Sequence, residues 1–198
     1  MKRVAIDVGH ARNTGARGNG YEEHELCARL AAELKKELEG SGDFSIEADV
    51  IDFPDFSNTG DRSATVRAVN SGKYDLLVSL HMDASDNKNA RGAHVCYNRT
   101  YKADGSFVDS SGGKRCAEEI AMRLCPQLPG RANTTQARPD RQRKLSSLEV
   151  LRETRPVAVL VECGFVTNAG DAEWVEKHPD KVALSIALGI ASFFDYEN

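Results

Sequence analysis

The sequence predicts an α/β fold built on a mostly parallel sheet covered by helices on both faces. Two observations carry this. Nearly unbroken apolar runs of strand length, "VAIDV", "LLVSL" and "VAVLV", lack the polar alternation of a half-exposed sheet and match strands buried on both sides. Between them lie segments whose apolar residues recur every three or four positions, the spacing of helices with one inward face.

Residues 3–8, "RVAIDV", read as the first strand, followed by a Gly/Asn-rich loop through Gly20. A helix over about Glu23 to Glu39 comes next, with Cys27, Leu30, Ala31, Leu34 and Leu38 on one face. "FSIEADVI" alternates as a strand, and "SNTGDRSATVRAVNSG" carries capping residues ahead of a short helix and a glycine after it. "YDLLVSLHMDAS" is an apolar strand ending at His81. "GAHVCYN" reads as a strand, "RTYKADGSFVDSSGGK" as a polar loop, and the following helix turns Cys116, Ala117, Ile120, Ala121 and Leu124 inward until Pro126 stops it. A basic, proline-interrupted loop, "PGRANTTQARPDRQRKLSS", precedes two close strands, "LEVLR" and "PVAVLVECGF". "NAGDAEWVEKH" makes a short helix capped by Asn168, and "KVALSIALGIASFFDY" a packed final helix. No repeat or linker-like shift in composition interrupts the chain, so residues 1–198 read as one domain.

A formal net charge of -4 argues against a nucleic-acid partner. The five cysteines, Cys27, Cys96, Cys116, Cys125 and Cys163, include no C-x-x-C pair, and several fall at apolar positions, so reduced and mostly buried thiols are expected. The N-terminus turns to strand at once, with no apolar signal segment, and no run approaches a membrane span. The expectation is a monomer made in the cytoplasm, with no membrane partner.

In sheets of this kind the functional crevice lies at the carboxyl ends of the strands. Three such ends carry chemistry: His10, His81, and Glu162 in "VAVLVECGF", where a carboxylate follows five apolar residues. Burying that carboxylate is costly without a partner, so either it opens onto a site or a cation lies nearby. Glu22, Glu23 and Glu25 crowd the start of the first helix. The helix dipole alone explains acidic residues there, and a lone histidine at a strand end is more often a hydrogen-bonded surface residue. Yet the loop after His10 can fold back, bringing one glutamate to both histidines. Two imidazoles and one carboxylate are the ligand set of a catalytic zinc. His24, on an exposed helix start, His94, within a strand, and His178, beside a proline, read as structural or solvated. Cys163 with a histidine is a rival nucleophile and base, but it directly follows a buried strand and reads better as a packed thiol. The arginines from Arg131 to Arg143 could steer an anion, although a solvated loop is the commoner fate of such a run.

"IDVGH", "NGYEEHEL", "LLVSLHMDAS", "VLRET" and "AVLVECGFVTNAGDAEWV", in this order across nearly the whole chain, resemble the zinc-dependent N-acetylmuramoyl-L-alanine amidases of bacterial cell-wall turnover and phage lysis. The resemblance implies an α/β fold with a mixed, mostly parallel sheet flanked by helices on both faces, of the phosphorylase/hydrolase-like kind, and one catalytic domain over residues 1–198. It implies that zinc is held by His10, Glu23 and His81 and that Glu162 is the catalytic carboxylate. Glu23 is preferred to Glu22 and Glu25 because the family's ligand stands three residues past a glycine, here Gly20, and three before the first inward leucine, here Leu26. The implied reaction is hydrolysis of the amide between N-acetylmuramic acid and L-alanine in peptidoglycan, by an autolysin or an endolysin released or exported to the wall. The chain departs from the family's Pro-Gly-His-Gly-Gly at Val8 and Arg12 and from its His-x-Asn-Ala at Asp83. It also has Thr65, flanked by Arg62 and Arg67, where the family commonly has an arginine. Two other readings stand beside this one: a zinc peptidase or deacylase acting on a soluble muropeptide or another amide, and a non-catalytic wall-binding module.

Overall fold

The apolar runs form the centre of a sheet. The computed structural model describes residues 1–11, 14–40, 46–53, 64–128, 137–139 and 148–195. In chain order its elements begin with β1 (Lys2–Val8), β2 (Arg17–Gly18), β3 (Tyr21–Glu22), α1 (Glu23–Gly40), β4 (Ile46–Ile51), α2 (Ala64–Ser71) and β5 (Leu76–Asp83). They continue with β6 (His94–Tyr97), β7 (Arg99–Tyr101), β8 (Phe107–Asp109), α3 (Ser111–Leu124), β9 (Ala137–Pro139), α4 (Glu149–Arg152), β10 (Val157–Phe165), α5 (Ala169–Lys177) and α6 (Pro179–Asp195).

The main sheet has the order β4-β1-β5-β10-β6-β9. Every neighbouring pair is parallel except β10 with β6, so the sheet is mixed and mostly parallel. Alternation along the strands sends side chains to two cores. Val4, Ile6 and Val8 of β1, Val78 and Leu80 of β5, and Val159 and Val161 of β10 join the larger core, under α1, α3 and α6. Ala5, Leu77, Ala158 and Leu160 face the smaller one, with Val69 of α2 and Leu151 of α4.

The helices follow from their patterns. α1 buries Leu26, Cys27, Leu30, Ala31, Leu34 and Leu38 at helical spacing. α6 is apolar on most of its circumference because it packs against both α1 and α3. Its approach to α3 is so close that a Cβ on Gly189 would lie 2.6 Å from Cα of Ile120. Ser110 caps α3, its hydroxyl accepting from Gly113 N–H at 3.2 Å, and α3 ends ahead of the single turn that holds Pro126. Asn168 caps α5 as its position predicts, accepting from the amides of Gly170 and Asp171. Among the described residues no helix is long and apolar enough to cross a membrane, and none of the five cysteines is in a disulfide, with Cys96 alone among them only partly buried.

Three local expectations are corrected. "LEVLR" is a helical turn, α4, not a strand: Leu151 and Arg152 donate to the carbonyl of Leu148, and Leu148 and Leu151, three apart, pack into the smaller core. The polar segment after β6 is not a plain loop but the β7–β8 hairpin. It turns at Gly105 (φ 82°) and is pinned by Arg99, which donates to both carboxylate oxygens of Asp109 at 2.6 and 2.9 Å. Neither His81 nor Glu162 ends its strand, because β5 continues to Asp83 and β10 to Phe165, where the two strands still pair.

Candidate active site

Strands β1, β5 and β10 lie side by side and parallel, so their carboxyl ends share one edge. His81 and Glu162 are direct partners in the β5–β10 register, and parallel partners send their side chains to the same face. On the other side of β5, Gly9 N–H donates to the carbonyl of Leu80 at 2.8 Å. A Cβ on Gly9 would lie 2.3 Å from that oxygen and 2.8 Å from the His81 ring, so only glycine lets the chain leave β1 past this imidazole. His10 follows with φ 60°, a left-handed backbone costly for a non-glycine residue. Its side chain is exposed, 41% accessible, at the mouth of the site.

Glu23 begins α1 and is buried. Its Oε2 accepts from Ala16 N–H at 2.8 Å, and its Oε1 accepts from Met82 N–H at 3.1 Å and from His81 Nδ1 at 3.0 Å. His10 Nε2 stands 3.6 Å from Oε2. The two imidazoles meet edge to face, with ring centroids 5.1 Å apart. One ligand atom from each of His10, Glu23 and His81 lies within 4.8 Å of the others. This nitrogen and oxygen donor set suits zinc. Of the other glutamates at this helix start, Glu22 pairs with Arg17 at 2.7 Å and Glu25 is exposed.

Burial alone would raise the pKa of Glu23, but its hydrogen bond with His81 and the charges of His81 and His10 hold it below its ordinary value. Burial likewise opposes charge on His81, and the bond to Glu23 with the charges of Glu162, Glu23 and Asp7 raises it instead. Glu162 has no such relief. Burial pushes it up to about 8, His81 pulls it down, and the charges of Asp83 and Glu23 add to the rise. Its Oε2 is buried with no hydrogen-bond partner among the described residues, an expensive condition for a carboxylate. Cys163 is fully buried in the larger core, and burial drives its thiol well up, which rules against a nucleophilic thiolate there.

Around this cluster the structure adds residues that had no role in the site as read from sequence. His24 is buried at 4% accessibility, which corrects its reading as an exposed helix-start residue. Its Nδ1 lies 2.9 Å from the carbonyl oxygen of His10 and its Nε2 3.7 Å from Asp52. Asp7 is buried, accepting from Ser79 at 2.6 Å and from Thr65 at 2.9 Å, so Thr65 supplies a neutral donor to this carboxylate. Past Glu162 the register of β10 shifts, with Gly164 at φ 137°. The turned-out amides of Phe165 and Gly92 both donate to Asp171 of α5, at 3.0 and 2.6 Å. No strand-end pattern marks these residues; the sole hint was a histidine or an aspartate beside a motif. Asp83 lies near the site, 3.8 Å from His94 Nε2, and Val8 is simply a core residue. His178 caps the end of α5 with its ring against Trp174. Arg12, Arg62 and the basic run from Arg131 to Arg143, apart from the backbone of residues 137–139, lie outside the described residues.

The sequence profile of the N-acetylmuramoyl-L-alanine amidase family matches residues 4–192. The chain is similar to the N-acetylmuramoyl-L-alanine amidase LytC of Bacillus subtilis, 31% identical over 96% of this chain but only 35% of that relative, so it spans about a third of LytC. It is 27% identical to the endolysin of Bacillus phage SPP1, across 98% of this chain and 66% of that one. The fold matches the catalytic domain of CwlV, an amidase of Bacillus (Paenibacillus) polymyxa, with a TM-score of 0.76 and 25% identity over 98% of this chain and 99% of the other. An N-acetylmuramoyl-L-alanine amidase from Clostridium difficile matches with the same TM-score, 0.76, and 25% identity over 100% and 98%.

Proposed function

This chain belongs to the N-acetylmuramoyl-L-alanine amidase family, and from that footing we propose that it hydrolyses the amide joining the lactyl group of N-acetylmuramic acid to the L-alanine of the peptidoglycan stem peptide. The family is generally zinc-dependent. In this reading His10, Glu23 and His81 hold the ion, Glu162 is the catalytic carboxylate, and residues 1–198 act as one catalytic domain. The domain works as a monomer on cell wall that it reaches by release or export, with neither nucleic acid nor membrane as partner.

One observation carries the reading: the buried, unpartnered Oε2 of Glu162 stands on the strand next to a cluster of two imidazoles and a carboxylate. A carboxylate kept without a hydrogen bond fits a neighbouring cation and a proton to be handled. When bound, zinc supplies Lewis acidity to the scissile carbonyl and makes water a better nucleophile near neutral pH. The remaining work falls to the chain. Glu162 takes a proton from the attacking water and returns it to the departing amine nitrogen, a task suited to a carboxyl whose basicity is raised by burial. Glu23 keeps His81 oriented through its Nδ1 hydrogen bond, and Gly9 leaves room for that imidazole against β1.

The test is digestion of purified peptidoglycan with and without a chelator, followed by mass analysis. Free stem peptides beginning with L-alanine, lost on chelation and restored by zinc, are expected. Cuts between amino acids would instead indicate a peptidase, and no release a binding module.

A further inference from the structure

We propose that His24 is a positioning residue that holds the backbone of His10 in its metal-ready conformation by donating a hydrogen bond from Nδ1 to the His10 carbonyl. This inference rests on the reading of His10 as a ligand and adds to it a residue outside the ligand set.

His10 needs a brace from outside itself. Its left-handed backbone, φ 60°, is unfavourable for any residue with a Cβ, so something outside the residue must hold it. On one side Gly9 N–H is tied to Leu80. On the other, Ala11 N–H donates to Thr14 Oγ1 at 2.9 Å, and that hydroxyl donates back to the Ala11 carbonyl at 2.8 Å. The carbonyl of His10 itself is met by His24 Nδ1 at 2.9 Å. A carbonyl oxygen only accepts, so this contact is a hydrogen bond when the proton is on Nδ1. That tautomer leaves Nε2 facing Asp52, 3.7 Å away beyond the end of β4.

His24 follows Glu23 directly in α1, and the two do complementary work. Glu23 turns its carboxylate into the site, while His24 turns its ring to the loop that delivers His10. The first turn of α1 therefore fixes one ligand through its own side chain and a second through that ligand's backbone. His24 is 4% accessible, so its ring is held by packing and does not give the bond up to water. Residues that orient ligands in this way typically contribute ten- to a hundred-fold in metal affinity.

The experiment compares zinc affinity, by competition with a chromophoric chelator, and the visible spectrum of the cobalt-substituted protein for wild type, His24→Leu, His24→Asn and His10→Gly. Leucine fills the space without a donor, whereas asparagine places an amide N–H near the position of Nδ1. His24→Leu should lose about ten- to a hundred-fold in affinity and shift the cobalt bands, and His24→Asn should restore most of both. Wild-type affinity and spectrum in His24→Leu would overturn the proposal, as would equal losses in the leucine and asparagine variants, which would indicate packing alone. A measurement on the wild-type protein guards against a leucine variant that does not fold. Nitrogen NMR of the metal-free domain should find a proton on His24 Nδ1, and an Nδ1 that carries no proton would overturn the hydrogen bond. His10→Gly separates the two levels, since glycine keeps the carbonyl and tolerates the backbone but removes the imidazole. If His10→Gly binds zinc as tightly as wild type, His10 is not a ligand and both readings fall. If it loses zinc while His24→Leu does not, only the role of His24 falls.

Discussion

Glu162 and His81 are paired residues on neighbouring parallel strands, so a carboxylate and an imidazole leave the same face of the sheet at the same level. Replacing Glu162 by glutamine keeps the shape of the side chain and removes its ability to accept a proton. Glu162→Gln should bind zinc with unchanged stoichiometry and lose about 10²- to 10⁴-fold in the rate of stem-peptide release. Release at the wild-type rate would refute the role assigned to Glu162.

The same carboxyl makes the stability of the metal-free domain depend on pH. Its folded pKa of about 8 lies above its ordinary value of 4.5, so the folded state binds more protons than the unfolded state between those two values. The resulting stabilisation is fully present below 4.5 and is lost as pH rises through about 8, with a slope of at most about 1.4 kcal/mol per pH unit. Urea unfolding across this range should show a steeper fall for wild type than for Glu162→Gln.

A cation reverses the preference, since it favours an ionised Glu162 and an imidazole nitrogen stripped of its proton. Zinc uptake near neutral pH should therefore release protons. Calorimetric heats of binding should scale with the ionisation enthalpy of the buffer. Heats independent of buffer would mean that the carboxyl and the His81 nitrogen are already deprotonated without metal.

Zinc should also stabilise the fold by mass action, by about 2.7 kcal/mol at a free concentration near a hundred times its dissociation constant. His10→Gly, which relieves a strained backbone, should gain little or nothing from the same zinc. Paired urea titrations check this, and an equal gain in both proteins would count against His10 as a ligand.

A change far from the chemistry provides a control. Gly189→Ala drives a methyl to within 2.6 Å of the Ile120 backbone, and over-packing of this kind costs about 1 to 3 kcal/mol. The variant should unfold at lower urea while keeping its activity per folded molecule.

The central strands and the long helices were legible because their patterns are strong: VAIDV and VAVLV have the composition of buried strands, and Asn168 stands where a cap belongs. The convergence of His10, Glu23 and His81 at one edge was legible because parallel topology turns strand ends into neighbours. Short segments were not. Five residues of "LEVLR" satisfy an alternating pattern and an i, i+3 pattern equally well, and only contact with the smaller core decides between them. The β7–β8 hairpin was read as a loop because its strands carry no apolar pattern and are held instead by Arg99 and Asp109. His24 was misread for a related reason: its partners are a carbonyl 14 residues away and an aspartate beyond the next strand, neither of which a helical pattern displays.

The late position of β10 in the chain sets an order of assembly. β10 comes last of the strands, at Val157–Phe165, yet it lies between β5 and β6 near the middle of the sheet. A growing polypeptide can make His10, Glu23 and His81 early, but the sheet has a gap beside β5 until residues 157–165 emerge and insert. Pairings of such long sequence separation form slowly. Glu162 lies on this late strand, so the role proposed for it requires the completed sheet.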